Sequence, residues 1–74
     1  MNILRSENLK LKLDRSLEGI EKGVGKQDNK LICIESKNAY KLINTRIIEL
    51  RIIEPYYDWQ EIKSVMEKKM SSNC

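Results

Sequence analysis

The chain has 74 residues, of which 41% are hydrophobic and 34% are charged, and its formal net charge is +3. This composition is that of one small folded domain and is too apolar for a disordered segment. No apolar run approaches the ~18 residues of a membrane-spanning helix, so we expect no membrane partner. The opening MNILRSEN lacks the apolar core of a secretory signal, which predicts a cytoplasmic location.

The two cysteines and the absence of histidine limit the chemistry of the chain. Histidine is the commonest general base and metal ligand, and two cysteines cannot complete a zinc site within one chain. We therefore predict no enzyme activity, no cofactor and no metal site. Two cysteines do not form a disulfide framework, so we expect Cys33 to be buried and unpaired and Cys74 to be an exposed thiol. That expectation also favours a reducing, cytoplasmic location.

The first predicted element is a short β-strand over residues 9–13, after a frayed end at residues 1–8. Leucine and lysine alternate strictly in LKLKL, which is typical of a half-buried strand. A helix competes with this interpretation, because one helical face would carry a longer apolar set: Leu9, Leu13, Leu17, Ile20 and Val24.

The glycines that follow favour the strand over the helix. Gly19, Gly23 and Gly25 would each weaken a helix by about 1 kcal/mol relative to alanine. We therefore predict a turn or short helix over residues 15–22 and a mobile loop over residues 23–29.

The isoleucine-rich segment that ends at Pro55 decides the predicted fold. As a helix it would leave Ile48 and Ile52 away from its apolar stripe, whereas as a strand it places both on one face with Leu50. β-Branched residues also fit a pleated surface. With two shorter strands over residues 31–34 and 39–43 and a turn at residues 44–45, the segment predicts an antiparallel β-meander over residues 30–54.

One amphipathic helix is predicted near the C-terminus. Asp58 can cap it, and Glu61 completes a variant of the capping box. Its apolar stripe is Trp59, Ile62, Val65, Met66 and Met70. We expect residues 71–74 to fray. The predicted fold is thus α+β: a single domain over residues 1–74, with a meander of three to four strands and this helix packed on one face.

The aromatic cluster between sheet and helix indicates a binding surface for another protein. Tyrosine and tryptophan are frequent in interface hot spots. We expect Trp59 to be core and at least one of Tyr56 and Tyr57 to be exposed. The predicted protein-binding residues are Glu54, Tyr56, Tyr57 and Asp58. The predicted function is a small non-catalytic protein-binding module that acts as an inhibitor, adaptor or regulator.

Two further expectations concern the source and the assembly. The abundance of Lys, Ile, Asn and Glu in a compact chain is often found in proteins encoded by phages or mobile elements. A chain of 74 residues buries a limited fraction of its surface, which favours a homodimer.

Residues 9–24 resemble the start of a ribbon-helix-helix protein, in which Leu9–Leu13 would be the strand and Leu17, Ile20 and Val24 the helix face. The resemblance implies two chains with paired strands that present Lys10 and Lys12 to the DNA major groove, with Arg15 near a phosphate. A nucleic-acid-binding transcriptional regulator is therefore the alternative function. Its predicted binding residues are Lys10, Lys12, Arg15, Lys22 and Lys26. A basic sheet face of Lys10, Lys12, Lys41 and Arg51 could serve the same role.

Overall fold

A computed structural model describes residues 2–74, with side chains from residue 8 onward, as a bundle of three α-helices. They are α1 (Asn2–Lys26), α2 (Asn29–Ile53) and α3 (Trp59–Asn73). No strand occurs within residues 2–74, so the predicted α+β fold with its β-meander is wrong. The predicted fraying of residues 1–8 falls partly on Met1, which lies outside the described residues, while residues 2–8 begin α1.

Helix α1 forms because its apolar period extends well beyond the LKLKL segment. Leu9, Leu13 and Ile20 are buried in the core, and Leu17 packs against it half-buried. These residues lie three to four positions apart, or multiples of that, so they share one helical face. Alternation over five residues predicted a strand, but Leu11 is simply exposed at the side of the helix.

Two of the glycines allow α1 and α2 to approach each other closely. A Cβ atom on Gly23 would lie 2.7 Å from Ile32 Cγ1, and one on Gly19 would collide with the Glu35 carboxylate. Gly25 has open space around it. Gly19 and Gly23 therefore serve packing inside a helix, where the sequence had suggested irregular backbone.

The connection between α1 and α2 is shorter than the predicted loop over residues 23–29. Gln27 adopts a left-handed φ of 54°. Its N–H donates to the Val24 carbonyl at 3.2 Å, and the Asp28 N–H donates to the Gly23 carbonyl at 2.8 Å. This pair of bonds is a Schellman motif, which ends α1. The Asp28 carboxylate then accepts from the Leu31 N–H at 3.2 Å and caps α2, so only two residues lie between the helices.

Helix α2 buries one face and leaves Ile48 and Ile52 outside it. Its buried residues are Ile32, Ser36, Ala39, Ile43 and Leu50. Ile48 and Ile52 are 73% and 75% exposed. The strand prediction assumed that a fold would not leave two isoleucines in water. Single exposed apolar residues are common, however. Burial of the apolar stripe of α2 against both neighbouring helices stabilises the fold by more than the exposure of two isoleucines costs.

Helix α2 bends at Arg46, whose φ of −125° and ψ of 25° are not helical. Just before it, the Thr45 hydroxyl donates to the Lys41 carbonyl. A threonine bonded to the preceding turn in this way often bends a helix. The turn predicted at residues 44–45 is thus present only as a bend within one helix.

Helix α3 confirms the predicted C-terminal helix and its cap. The Asp58 carboxylate accepts from the Glu61 N–H at 3.1 Å. Trp59 and Met66 are buried in the core, with Ile62 packed beside them. The predicted fraying of residues 71–74 is wrong, because α3 continues to Asn73 and the Cys74 N–H donates to the Met70 carbonyl at 2.9 Å.

Cys33 and Cys74 form a disulfide, so the prediction that both remain unpaired is wrong. The strand interpretation placed Cys33 within a sheet. In α2 it lies where the end of α3 reaches it, with the two Cα atoms 5.3 Å apart. That separation lies within the usual range for a disulfide.

Helix α2 is the central element of the bundle. It packs against both α1 and α3, while no Cα atom of α1 within residues 2–26 comes within 8 Å of α3. Side chains from all three helices nevertheless meet in one core, where Leu13, Ile43 and Trp59 are almost fully buried. Within residues 2–74, none of the helices has the length and apolar content needed to cross a membrane.

Candidate binding surfaces

The aromatic cluster forms a corner between α2 and α3. Trp59 is buried, and its Nε1–H donates to the Glu54 carbonyl at 3.1 Å. Tyr57 leans on it with ring centroids 5.2 Å apart, and Tyr56 lies 4.8 Å from Tyr57. Tyr56 and Tyr57 are 76% and 45% exposed. The predictions of a core tryptophan and at least one exposed tyrosine are therefore confirmed.

The two predicted acidic binding residues have structural roles. Asp58 caps α3. Glu54 ends α2, where its N–H donates to the Leu50 carbonyl at 2.8 Å. The Glu54 carboxylate lies half-buried, with Oε1 3.6 Å from Lys10 Nζ and Oε2 buried without a hydrogen-bond partner. Of the four predicted protein-binding residues, Tyr56, Tyr57 and Asp58 are exposed, whereas Glu54 is half-buried.

Sequence reasoning missed an apolar surface beside these tyrosines. Ile48 and Ile52 are one helical turn apart, and Tyr56 follows four residues later. Each of the three is about three-quarters exposed. We call Ile48, Ile52 and Tyr56 the apolar face. Its signal was visible in the sequence as the two isoleucines that do not fit the buried stripe of a helix.

Lys10 is held inside the structure, unlike the other predicted nucleic-acid-binding residues. Its Nζ donates to Asp14 Oδ1 at 2.8 Å and lies 5.8 Å from the Tyr57 ring centroid and 5.9 Å from that of Trp59. Burial opposes its charge, but the hydrogen bond and charge of Asp14 and the charge of Glu54 outweigh it, so the pKa of Lys10 is raised above its usual 10.5.

The other four predicted basic residues share one exposed flank of α1. At 100° per residue, Lys12, Arg15, Lys22 and Lys26 fall within an arc of roughly 80°. The acidic residues Asp14, Glu18 and Glu21 fall within roughly 60° on the other flank. Apart from Lys10, which is paired with Asp14, the charged residues of α1 from residue 8 onward are separated by sign. The strand at residues 9–13 that a ribbon-helix-helix protein requires is absent, so that form of the nucleic-acid prediction is wrong. The basic sheet face is wrong for the same reason.

A groove between α1 and α2 gathers part of this basic flank. It has a volume of about 350 Å³. We call it the basic groove, and its lining residues are Lys12, Arg15, Ser16, Asn38, Lys41 and Leu42. Among the described residues, its three cationic side chains have no carboxylate within 4.0 Å.

A second groove of about 370 Å³ continues from the first along α2. Its lining residues are Ile34, Lys37, Asn38, Tyr40 and Lys41. We call it the adjoining groove, since it shares Asn38 and Lys41 with the basic groove. Neither groove was predicted, and the basic groove depends on how α1 and α2 pack.

Among the residues whose side chains are described, no three cysteine, aspartate or glutamate side chains come together to hold a metal ion. The chain matches no protein-family model, and comparison with curated proteins and with solved structures finds no significant match.

Proposed function

We propose that this chain is a small non-catalytic protein-binding module that acts by occupying a surface of its partner. The apolar face carries this proposal. Ile48 and Ile52 are large exposed side chains one turn apart at the end of α2, and the exposed Tyr56 lies in the turn beyond it. Exposed apolar residues one helical turn apart are the form in which a helix enters a groove of another protein.

The apolar face has the energetic properties of an interface core. Full burial of one isoleucine side chain contributes about 1.5–3 kcal/mol, and exposed tyrosines are frequent interface hot spots. The face also lies on backbone that is already ordered, because Glu54 ends α2 and Trp59 fixes the turn to the core. A preformed surface loses little conformational freedom on binding.

The proposal is tested by photocrosslinking in cells of the native host. A photoreactive phenylalanine analogue replaces Ile52, and the matched control carries it at Glu21, an exposed position of α1. We expect one discrete covalent adduct from position 52 and none from position 21. An adduct of twice the chain mass would identify the predicted homodimer.

A second variant separates a specific contact from accidental proximity. Ile48→Asp should remove the adduct from position 52 without unfolding the chain, since Ile48 is exposed. Equal adducts from positions 52 and 21, or an adduct that survives Ile48→Asp, would contradict the proposal.

A cytoplasmic location is a proposal as well, and the Cys33–Cys74 disulfide weighs against it. Disulfides persist in oxidising compartments and are rare in the reducing cytosol. Alkylation of free thiols at the moment of cell lysis, followed by mass measurement, decides the matter. Two alkylated cysteines would favour the cytoplasm, whereas an unmodified disulfide would favour an oxidising compartment.

Nucleic-acid binding is the second candidate function, and the separation of charge on α1 favours it. Lys12, Arg15, Lys22 and Lys26 form an exposed basic flank with no acid among them. Phosphate backbones are bound mainly by such arrays, and the binding weakens with salt. Salt-dependent binding to mixed single- and double-stranded oligonucleotides tests this function.

A further inference from the structure

We propose that the basic groove and the adjoining groove together form a binding site for single-stranded nucleic acid. A backbone phosphate would lie among Lys12, Arg15 and Lys41, and a neighbouring base would lie against Ile34 and Tyr40. This inference rests on the second candidate function above and is independent of the apolar face.

The charge of the basic groove supports a phosphate ligand. Three cationic side chains from two helices line it, and from residue 8 onward no acidic residue is among its lining residues. The Glu35 carboxylate lies on the same side of α2, but it accepts a hydrogen bond from the neutral amide Asn38 Nδ2 at 3.0 Å and forms no ion pair with the three cations. Like charges gathered in one groove repel each other, and an anion bound between them relieves that repulsion. Arginine also matches phosphate with its forked geometry.

The basic flank extends beyond a single phosphate group. Lys22 and Lys26 continue it along α1, and the distance along the helix axis from Lys12 to Lys26 is roughly 21 Å at 1.5 Å per residue. An isolated phosphate would occupy the basic groove alone. The longer array matches the repeated charges of a nucleic-acid strand.

The adjoining groove favours a single strand over a duplex. It places the apolar surface of Ile34 and Tyr40 next to Lys41, which it shares with the basic groove. The Tyr40 ring is held from α3 by Lys63, whose Nζ lies 5.7 Å from the ring centroid. Unpaired bases can reach such a surface and stack on an aromatic ring, whereas the bases of a duplex are already stacked.

The test is fluorescence anisotropy with a labelled twelve-nucleotide oligothymidylate. If three phosphates are contacted, the affinity should fall roughly twentyfold between 50 and 200 mM salt, because each contact adds ~0.7 to the salt slope. Arg15→Gln and Lys41→Gln should each weaken binding at least fivefold. Lys68→Gln removes the same charge from the exposed surface of α3 and should change binding less than twofold. Circular dichroism confirms that each variant folds.

The possible outcomes distinguish failure of the proposed site from failure of nucleic-acid binding as a function. If neither the single strand nor a duplex of equal length binds at 50 µM protein and 50 mM salt, both are wrong. If Lys68→Gln weakens binding as much as Arg15→Gln, or if the duplex binds more tightly, the proposed site is wrong while nucleic-acid binding stands.

Discussion

Lys10 and Glu54 join α1 to the end of α2: Lys10 Nζ lies 3.6 Å from Glu54 Oε1. The two residues are 44 positions apart by their numbers, and both side chains are largely shielded from solvent. The same ammonium is bonded to Asp14 and lies near the rings of Tyr57 and Trp59. This group of side chains fixes the aromatic corner beside the apolar face.

The first prediction concerns the strength of this ion pair. Glu54→Gln leaves Lys10 with one carboxylate fewer in a partly buried site, so the free energy of unfolding should fall by about 1 kcal/mol. A double-mutant cycle with Lys10→Met isolates the interaction, measured by urea unfolding. Glu18→Gln, on the exposed flank of α1, is the control and should change stability by less than ~0.5 kcal/mol. A coupling energy of zero would show that the pair contributes nothing.

The second prediction concerns alkaline pH and follows from the raised pKa of Lys10. A lysine with a raised pKa in the folded state holds its proton more tightly there than in the unfolded chain. Its stabilisation is therefore complete below the usual pKa of 10.5 and is lost as the pH rises through the folded value. Urea unfolding between pH 8 and 12 should show stability falling above pH ~10.5. The fall should be smaller in Lys10→Met, and equal curves would contradict the assignment.

The third prediction compares two glycines of the same helix. Gly23→Ala should destabilise the bundle by at least ~1 kcal/mol, because the new Cβ meets Ile32 at 2.7 Å. Gly25→Ala has open space around it and should stabilise the helix by about 0.5–1 kcal/mol through propensity alone. Thermal unfolding of the two variants measures both changes in stability, which should have opposite signs. A stabilising Gly23→Ala would show that α1 and α2 do not meet there.

The fourth prediction concerns the Cys33–Cys74 disulfide. The bond joins residues 41 positions apart, and closing a loop of that length in the unfolded chain stabilises the fold by about 4 kcal/mol in the chain-entropy model. Addition of a reductant should lower the urea midpoint accordingly. The Cys33→Ser, Cys74→Ser double variant should resemble the reduced protein and show no response to reductant. A midpoint that reductant leaves unchanged would contradict the bond.

The fifth prediction tests the orientation of α2. Ile43→Asp places a charge in the core, where Ile43 is fully buried, and should unfold the chain or lower its stability by more than ~3 kcal/mol. Ile52→Asp should change stability by less than ~0.5 kcal/mol, since Ile52 is exposed. Circular dichroism and urea unfolding measure both effects. The reverse result would contradict this orientation of α2.

Helix α3 could be predicted from sequence because its signals are local. The Asp58 cap and the stripe beginning at Trp59 lie within one short segment; the cap is confirmed, and the stripe is confirmed at Trp59, Ile62 and Met66, whereas Val65 is exposed. Helices α1 and α2 could not be predicted in this way, because their sequence patterns fit both a helix and a strand. In the sequence, the glycines of α1 suggest a loop. In the structure, Ile32 and Glu35 of α2 pack against two of these glycines, and a contact with another helix cannot be read from the local sequence.

The candidate binding surfaces show the same difference between local and long-range signals. That at least one of Tyr56 and Tyr57 is exposed could be predicted from their type and position alone. The basic groove arises from residues more than twenty positions apart, such as Arg15 and Lys41, so no local pattern could show it. The disulfide was missed for the same reason, since Cys33 and Cys74 meet only after α3 has folded back along α2.

The bend at Arg46 affects how the grooves and the apolar face are oriented relative to each other. Lys41 of the grooves lies before it and Ile48 of the apolar face lies after it, on the one helix whose backbone packs against both others. The backbone angles of Arg46 therefore set the direction in which the segment with Ile48 and Ile52 leaves the segment with Lys41, and a straight α2 would present the two candidate surfaces at a different angle.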